Sequence, residues 1–165
     1  MNSPKIEYSK SQLLSLVVLR VLIGWHLLYE GIVKLLNPDW SAESFLRDSK
    51  WILSGFLNWI ADSKLLLQVT DFLNVWGLIL IGLGLMTGFL TRTSTVAGIL
   101  LIGLYYLAAP PLTGLTYMLP PEGSYMIVNK NLIEIAALVI ILFFPTSGIV
   151  GLDRIVQKIK GKNDE

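Results

Sequence analysis

The chain contains no cysteine and a single histidine, and charged residues fill only 15% of its 165 positions. Without cysteine it can build no disulfide framework, no iron–sulfur cluster and no CxxCH haem attachment from its own residues. With His26 alone it has no bis-histidine haem site, and no metal site is predicted. Any electron transfer it joins must therefore use a bound molecule or another subunit. The charge fraction lies well below the roughly 25% of a soluble domain. A net charge of +1, without a basic patch interleaved with aromatics, argues against a nucleic-acid partner.

What fills the chain instead is apolar: 53% of its residues are hydrophobic and the mean hydropathy is +0.63. This composition predicts an all-α polytopic membrane protein, one integral-membrane domain over residues 1–165. Four uncharged or weakly charged runs predict transmembrane helices at about 12–36, 70–90, 94–109 and 127–144. The third stops near Pro110-Pro111 and the fourth near Pro145. All four are too long and too irregular in alternation for membrane strands. The first is expected to stay in the mature protein, since Arg20 interrupts it and no small-x-small cleavage site follows.

Residues 37–64, "NPDWSAESFLRDSKWILSGFLNWIADSK", mix charges with Trp40, Trp51 and Trp59. They predict an outer interfacial cap with a short amphipathic helix in its second half. The second outer loop, "PPLTGLTYMLPPEGSY", is apolar and proline-rich, and is expected to pack over the mouth of the bundle. Lysine and arginine favour the side carrying Lys5, Lys10, Arg92 and the tail 152–165, which places both termini in the cytoplasm of a cell whose inner membrane the protein spans.

The first helix poses the sharpest question, because "LRVLIGWHLLYEGIVKL" buries Arg20, His26, Glu30 and Lys34 in an apolar run. At about 100° per residue, Glu30, Lys34 and Arg20 fall about 40°, 80° and 120° from His26, and Gly31 and Gly24 follow at the edge of that stripe. Val17, Val21, Trp25, Leu28, Ile32 and Leu35 occupy the opposite sector and are expected to face lipid. The polar stripe then faces the bundle, where its groups pair or meet water. The glycines let a neighbouring helix approach.

The other helices carry polar groups to the same outer half: Asp71 and Asn74, Tyr105 and Tyr106, then Asn129, Lys130 and Glu134. A polar intramembrane pocket with His26 at its floor is the expectation. Lys34 with Glu134, or Glu30 with Lys130, are the pairs it suggests. The competing reading is structural: intramembrane ion pairs that only set helix register, and a histidine that only satisfies a neighbour. Arg20 fits that reading best, its long side chain snorkelling toward the cytoplasmic surface.

The segments "LRVLIG", "EGIVKL", "GLILIGLGLMTGFLTR" and "SGIVGLDR", in this order and spacing, resemble the DoxX family, which includes the membrane subunit of thiosulfate:quinone oxidoreductase-like proteins. The likeness runs from about Leu14 to Arg154. It implies a four-helix membrane bundle associated with quinone-linked oxidoreductases, and it matches the family at Arg20, Gly24, Gly31, Lys34, Gly77, Thr91, Arg92 and Asp153. Glu30 stands where many members carry histidine, and Asn74 where many carry glutamate.

The functional expectation is a membrane subunit of a quinone-linked oxidoreductase. His26, Glu30 and Glu134 are its proton-transfer candidates, because quinone reduction takes up protons with electrons. Lys34, Asn74, Trp76, Tyr105, Tyr106, Asn129 and Lys130 are its candidates for binding the headgroup. A redox partner subunit must supply the electrons. The alternative is a non-catalytic membrane anchor or assembly partner, or a small-solute carrier.

Overall fold

The computed structural model describes residues 7–118 and 126–163. Among these, every regular element is a helix. They run in the order α1 (Lys10–Leu36), α2 (Glu43–Arg47), α3 (Ser54–Asp62), α4 (Lys64–Thr87), α5 (Thr91–Ala108), α6 (Lys130–Phe143) and α7 (Leu152–Asn163). Only α1 and α4 are long and apolar enough by themselves to cross a membrane. At 1.5 Å per residue they extend about 40 and 36 Å.

Helix α1 starts where local chemistry tells it to. Ser9 accepts from the Gln12 amide, and the Gln12 side chain returns to the Ser9 amide, closing a capping box. Helix α4 begins at Lys64, ahead of its apolar run, because "KLLLQ" consists of good helix formers and only Ser63 separates it from α3. It ends at Gly88, whose φ of +71° suits a residue without Cβ. Leu90 also adopts a left-handed conformation, φ +49°, which costs a side-chain-bearing residue about 1 kcal/mol. The Asp153 carboxylate holds it there by accepting from the Leu90 amide at 2.8 Å.

Helices α1, α4, α5 and α6 share one core, formed by Ile23, Leu27, Leu78, Ile81, Leu85, Ile102, Leu138 and Ile141. Around it the neighbours run α1, α4, α5, α6 and back to α1. The α1–α4 seam is the most extensive and the α1–α6 seam the thinnest. In the former, glycines bring the two backbones together: a Cβ on Gly82 would lie 2.5 Å from the Leu28 amide nitrogen, and one on Gly31 would lie 3.0 Å from that of Ile79. Gly24 meets Met86 and Gly31 meets Ile79, so the helices are antiparallel.

This close approach corrects one sequence expectation. Leu28 is buried, not lipid-facing, because Gly82 offers no side chain and α4 reaches past the glycine edge of α1. Trp25, Ile32 and Leu35 of the expected lipid-facing set are exposed, Val17 and Val21 are half-buried, and the exposed face also takes in Leu14, Val18, Leu22, Tyr29 and Val33.

The 37–64 segment forms a cap from α2 and α3, packed through Ala42, Leu46, Leu57 and Ala61 onto Ala108 at the end of α5. Arg47 ties its two helices together, at 2.8 Å to Glu43 and 2.9 Å to Asp62. The following loop is fastened to this cap through Lys50 with the Thr116 carbonyl and through the Met118 amide, which donates to Asp48 at 2.7 Å. The remainder of this loop, 119–125, lies outside the described residues.

Candidate functional site

The polar groups of α1 separate toward two ends of the helix group. At the cap end, His26 Nδ1 lies 2.8 Å from Glu134 Oε1, joining α1 to α6 across their thin seam. The Glu134 side chain is 9% exposed and that of His26 34%, so the imidazole is the accessible member of the pair. Just over two turns further on, Lys34 Nζ donates to Asn74 Oδ1 at 3.1 Å, and Asn74 Nδ2 donates to the Tyr105 hydroxyl at 2.7 Å. A side-chain chain therefore links α1, α4 and α5.

Two rings cover the Lys34 ammonium, Trp40 with its centroid at 5.0 Å and Tyr105 at 5.5 Å. Such placement is attractive because the ring faces carry partial negative charge. Phe45 of α2 meets Tyr105 edge to face at 5.9 Å, so the cap braces the wall of the site. Asp71 fixes the cap in turn, accepting from the Ala42 amide at 2.8 Å. Glu30 lies half-buried near this group.

The expected pairing of Lys34 with Glu134 is corrected by this geometry. Glu134 sits on α6 and meets His26, whereas Lys34, about 80° further round α1, points to α4 and Asn74. The structure does not bring Trp76 and Tyr106 into the group. Trp76 is two residues and so about 200° from Asn74, exposed beside Phe72. Tyr106 donates to the Ile127 carbonyl at 2.8 Å and secures the start of α6. Asn129 is buried as the N-cap of that helix, accepting from the Leu132 amide, and Lys130 beside it is exposed.

Trp40 and Phe45 are the members that sequence reasoning missed. For Trp40 a signal was present: "NPDW" is a turn sequence, and the Asn37 side chain accepts from the Asp39 amide while its carbonyl accepts from Trp40. That turn folds Trp40 back over Lys34. Phe45 had none, since its contact depends on where α2 lands.

At the opposite end Arg20 is 2% exposed, which corrects the expectation that it snorkels to the surface. It donates to Thr146 Oγ1 and to the Val150 carbonyl, each at 2.9 Å, and so fastens α1 to the segment after α6. Gly88 and Gly151 meet backbone to backbone over the guanidinium, where a Cβ on either would collide. The Asp153 amide donates to the Gly88 carbonyl, and its carboxylate also accepts from the Thr91 amide at 3.3 Å. Partial burial acts to raise the Asp153 pKa, but the Ser147 hydroxyl and the Leu90 and Thr91 amides outweigh it and hold the carboxyl below its ordinary value.

Among the described residues no three histidine, aspartate or glutamate side chains converge at ligating range. The paired side chains at the cap end can do something else: present an ammonium donor beside aromatic faces, and hold a proton between an imidazole and a carboxylate.

Long apolar helices carrying exposed leucine, isoleucine, valine and phenylalanine along their outer faces define a membrane protein in contact with lipid. The chain belongs to the DoxX family, whose model matches residues 15–111, from α1 through α5. His26, Glu30, Lys34, Asn74 and Tyr105 lie within the match, and Glu134 and Asp153 lie beyond it. No curated protein and no solved structure matches the chain.

Proposed function

We propose that this protein is the membrane subunit of a quinone-linked oxidoreductase, and that it binds a quinone headgroup, or a small molecule of similar carbonyl chemistry, at the cap end of its helices. Membership of a membrane family often linked to oxidoreductase-associated proteins supports the reading. The observation that carries it is the convergence of two polar links, Lys34–Asn74–Tyr105 and His26–Glu134, on the same end of one helix group.

The residues suit such a ligand. An ammonium has three N–H donors, and Asn74 takes one of those on Lys34. Trp40 and Tyr105 offer flat apolar surface next to it. A quinone, when bound, supplies two-electron chemistry that takes up two protons. In this reading Lys34 donates to a carbonyl oxygen, Glu134 and Glu30 hold protons, and His26, the accessible partner of Glu134, moves them. The thin α1–α6 seam beside His26 gives a lipophilic molecule lateral access from the bilayer. A partner subunit delivers the electrons, since the chain has no cysteine and one histidine.

All four core helices cross the membrane in this reading, with both termini cytoplasmic. Because the chain lacks cysteine, single-cysteine variants at Lys64 and Lys158 test the orientation in intact cells. An impermeant thiol reagent should label the variant at Lys64 and spare the one at Lys158, and the reverse pattern would invert it. Binding is tested by titrating the purified protein with a short-chain quinone and following tryptophan fluorescence. Lys34→Met should weaken binding about tenfold or more, the effect of losing a hydrogen bond from a charged donor. Equal affinity for the variant and the parent would sink the proposal.

One observation favours a second reading, that of a non-catalytic anchor: Lys34, Asn74, Tyr105, His26 and Glu134 already satisfy one another within the chain. Isolation from native membranes in mild detergent separates the two. Co-isolated quinone supports the first, and a stoichiometric protein partner without quinone supports the second.

A further inference from the structure

The end of the molecule opposite the candidate site carries a feature that the quinone reading does not use. Helix α7, "LDRIVQKIKGKN", has the lowest density of apolar residues of any long element here, yet these residues are segregated. Ile155, Val156 and Ile159 fall within about 60° of Leu152 around the helix axis, and Arg154 and Lys158 fall about 40° apart, roughly 160° and 120° from Leu152 on the side of Ile155. All six of these side chains are exposed.

The apolar side of α7 is not isolated. Ile149 and Val150 precede it with exposed side chains, and Phe89, Leu90, Phe143 and Phe144 expose apolar surface at the same end of the core helices. Asp153 locks the start of α7 to the α4–α5 turn through the Leu90 amide and the Gly88 carbonyl. In the membrane-crossing reading above, on which this inference rests, a helix held in this way at the end of the core helices lies at the level of the lipid headgroups. On its basic flank an open cleft of about 520 Å³ is lined by Ile149, Val150, Gly151, Arg154, Ile155 and Lys158. Arg154 donates to the Ile149 carbonyl at 3.3 Å, which draws its guanidinium to the wall of that cleft.

We infer that this cleft is a binding site for the headgroup of an anionic phospholipid in the adjoining leaflet. Arg154 and Lys158 engage the phosphate, and Ile155, Val156 and Ile159 insert among the acyl chains. Charge complementarity selects this occupant over a neutral lipid. The apolar lining beside the two cations selects a lipid over a soluble phosphate, which would leave Ile149, Val150 and Ile155 against water. Two basic residues near a membrane surface favour anionic over zwitterionic lipid by about thirtyfold.

The test uses the full chain in nanodiscs of phosphatidylcholine with a minor fraction of phosphatidylglycerol, and native mass spectrometry of the lipids retained on release. The parent protein should retain phosphatidylglycerol in preference to phosphatidylcholine. Arg154→Gln with Lys158→Gln should abolish that preference, while Lys64→Gln, which removes a charge from the opposite end, should keep it. Undiminished preference in the double variant, or equal loss in Lys64→Gln, would overturn the inference. A second measurement needs no variant: tryptic cleavage after Arg154 and Lys158 of the parent should be slower in discs containing phosphatidylglycerol than in phosphatidylcholine alone. Equal rates would count against the site, and protection by soluble glycerol phosphate in detergent would assign the cleft to a free phosphate instead.

Discussion

The two ends of the helix group bury polar groups in different ways. At one end the partners of Arg20 are a hydroxyl and a backbone carbonyl, and those of Asp153 include two backbone amides. At the other end, side chains bond to side chains, in the His26–Glu134 pair and the Lys34–Asn74–Tyr105 chain. A backbone group has one protonation state and a position set by the fold, so a charge spent on it fastens segments together. A side-chain partner can rotate or change its proton count. That difference marks the Arg20 end as a clasp and the cap end as the one whose polar groups can change partner or proton count.

The largest effect is expected at the clasp. Arg20→Met leaves the Thr146 hydroxyl and the Val150 carbonyl without their charged donor, and should lower unfolding stability in detergent by about 3 kcal/mol, the sum of two such bonds at the low end of their range. Arg20→Lys should recover only part, because one ammonium replaces a fork that reaches two partners through separate nitrogens. A stability unchanged in Arg20→Met would remove the distinction between the ends.

The frame that both ends share comes next. Gly82→Val inserts a side chain where even a Cβ would lie 2.5 Å from the Leu28 nitrogen, so α1 and α4 must separate. Overpacking of this kind costs about 1–3 kcal/mol, read as a lower thermal midpoint. Gly77→Ala on the same helix meets nothing within 4 Å and should instead raise the midpoint slightly, since alanine is the better helix former by up to about 1 kcal/mol.

The cap end is tested by a double-mutant cycle on His26→Gln and Glu134→Gln. A coupling of about 1 kcal/mol is expected from the thermal unfolding of the four proteins. If the proposed proton role holds, His26→Gln also lowers quinone-dependent activity in the native membrane by about 10²-fold or more, with little loss of folded protein. Strictly additive midpoints with full activity would place this pair among inert contacts.

The smallest effect concerns Asp153, which supplies from α7 the cap that Leu90 cannot supply to α5. Asp153→Asn keeps one acceptor oxygen but gives up the charge and the second acceptor, and should cost about 1 kcal/mol, the difference between a hydrogen bond to a charged and to a neutral acceptor. The folded carboxyl sits below its ordinary value, so its stabilisation is present above the unfolded value of about 4 and fades as pH falls through the folded one. Midpoints of the parent and Asp153→Asn should therefore converge below about pH 4. A gap that stays constant to pH 3 would show that the charge contributes nothing.

Much of the fold can be read from periodicity and punctuation. Helix α1 carries its capping box at Ser9, α4 ends at a glycine, and α5 and α6 stop ahead of proline or beside it. The site is less legible. His26, Glu30, Lys34, Asn74, Tyr105 and Glu134 stand out as ionisable or polar residues in apolar runs, but their pairing does not follow from shared depth. Which neighbour each meets depends on rotations of a few tens of degrees about the helix axes, and those are set by Gly24, Gly31 and Gly82 across the α1–α4 seam. Trp76 and Tyr106 share the depth of their neighbours and still point elsewhere.

The sequence by itself determined the class of this protein. Low charge and long apolar runs require helices in lipid, because backbone groups there must be satisfied within the segment. It also determined which residues are expensive to bury and so demand partners. Only the tertiary structure decided who those partners are: Glu134 for His26, Asn74 for Lys34, and Thr146 with Val150 for Arg20. The physical reason is range. Helix formation and hydropathy act over a few residues along the chain, whereas these bonds close between groups 40 to 130 positions apart, after the glycines have set how closely two helices meet.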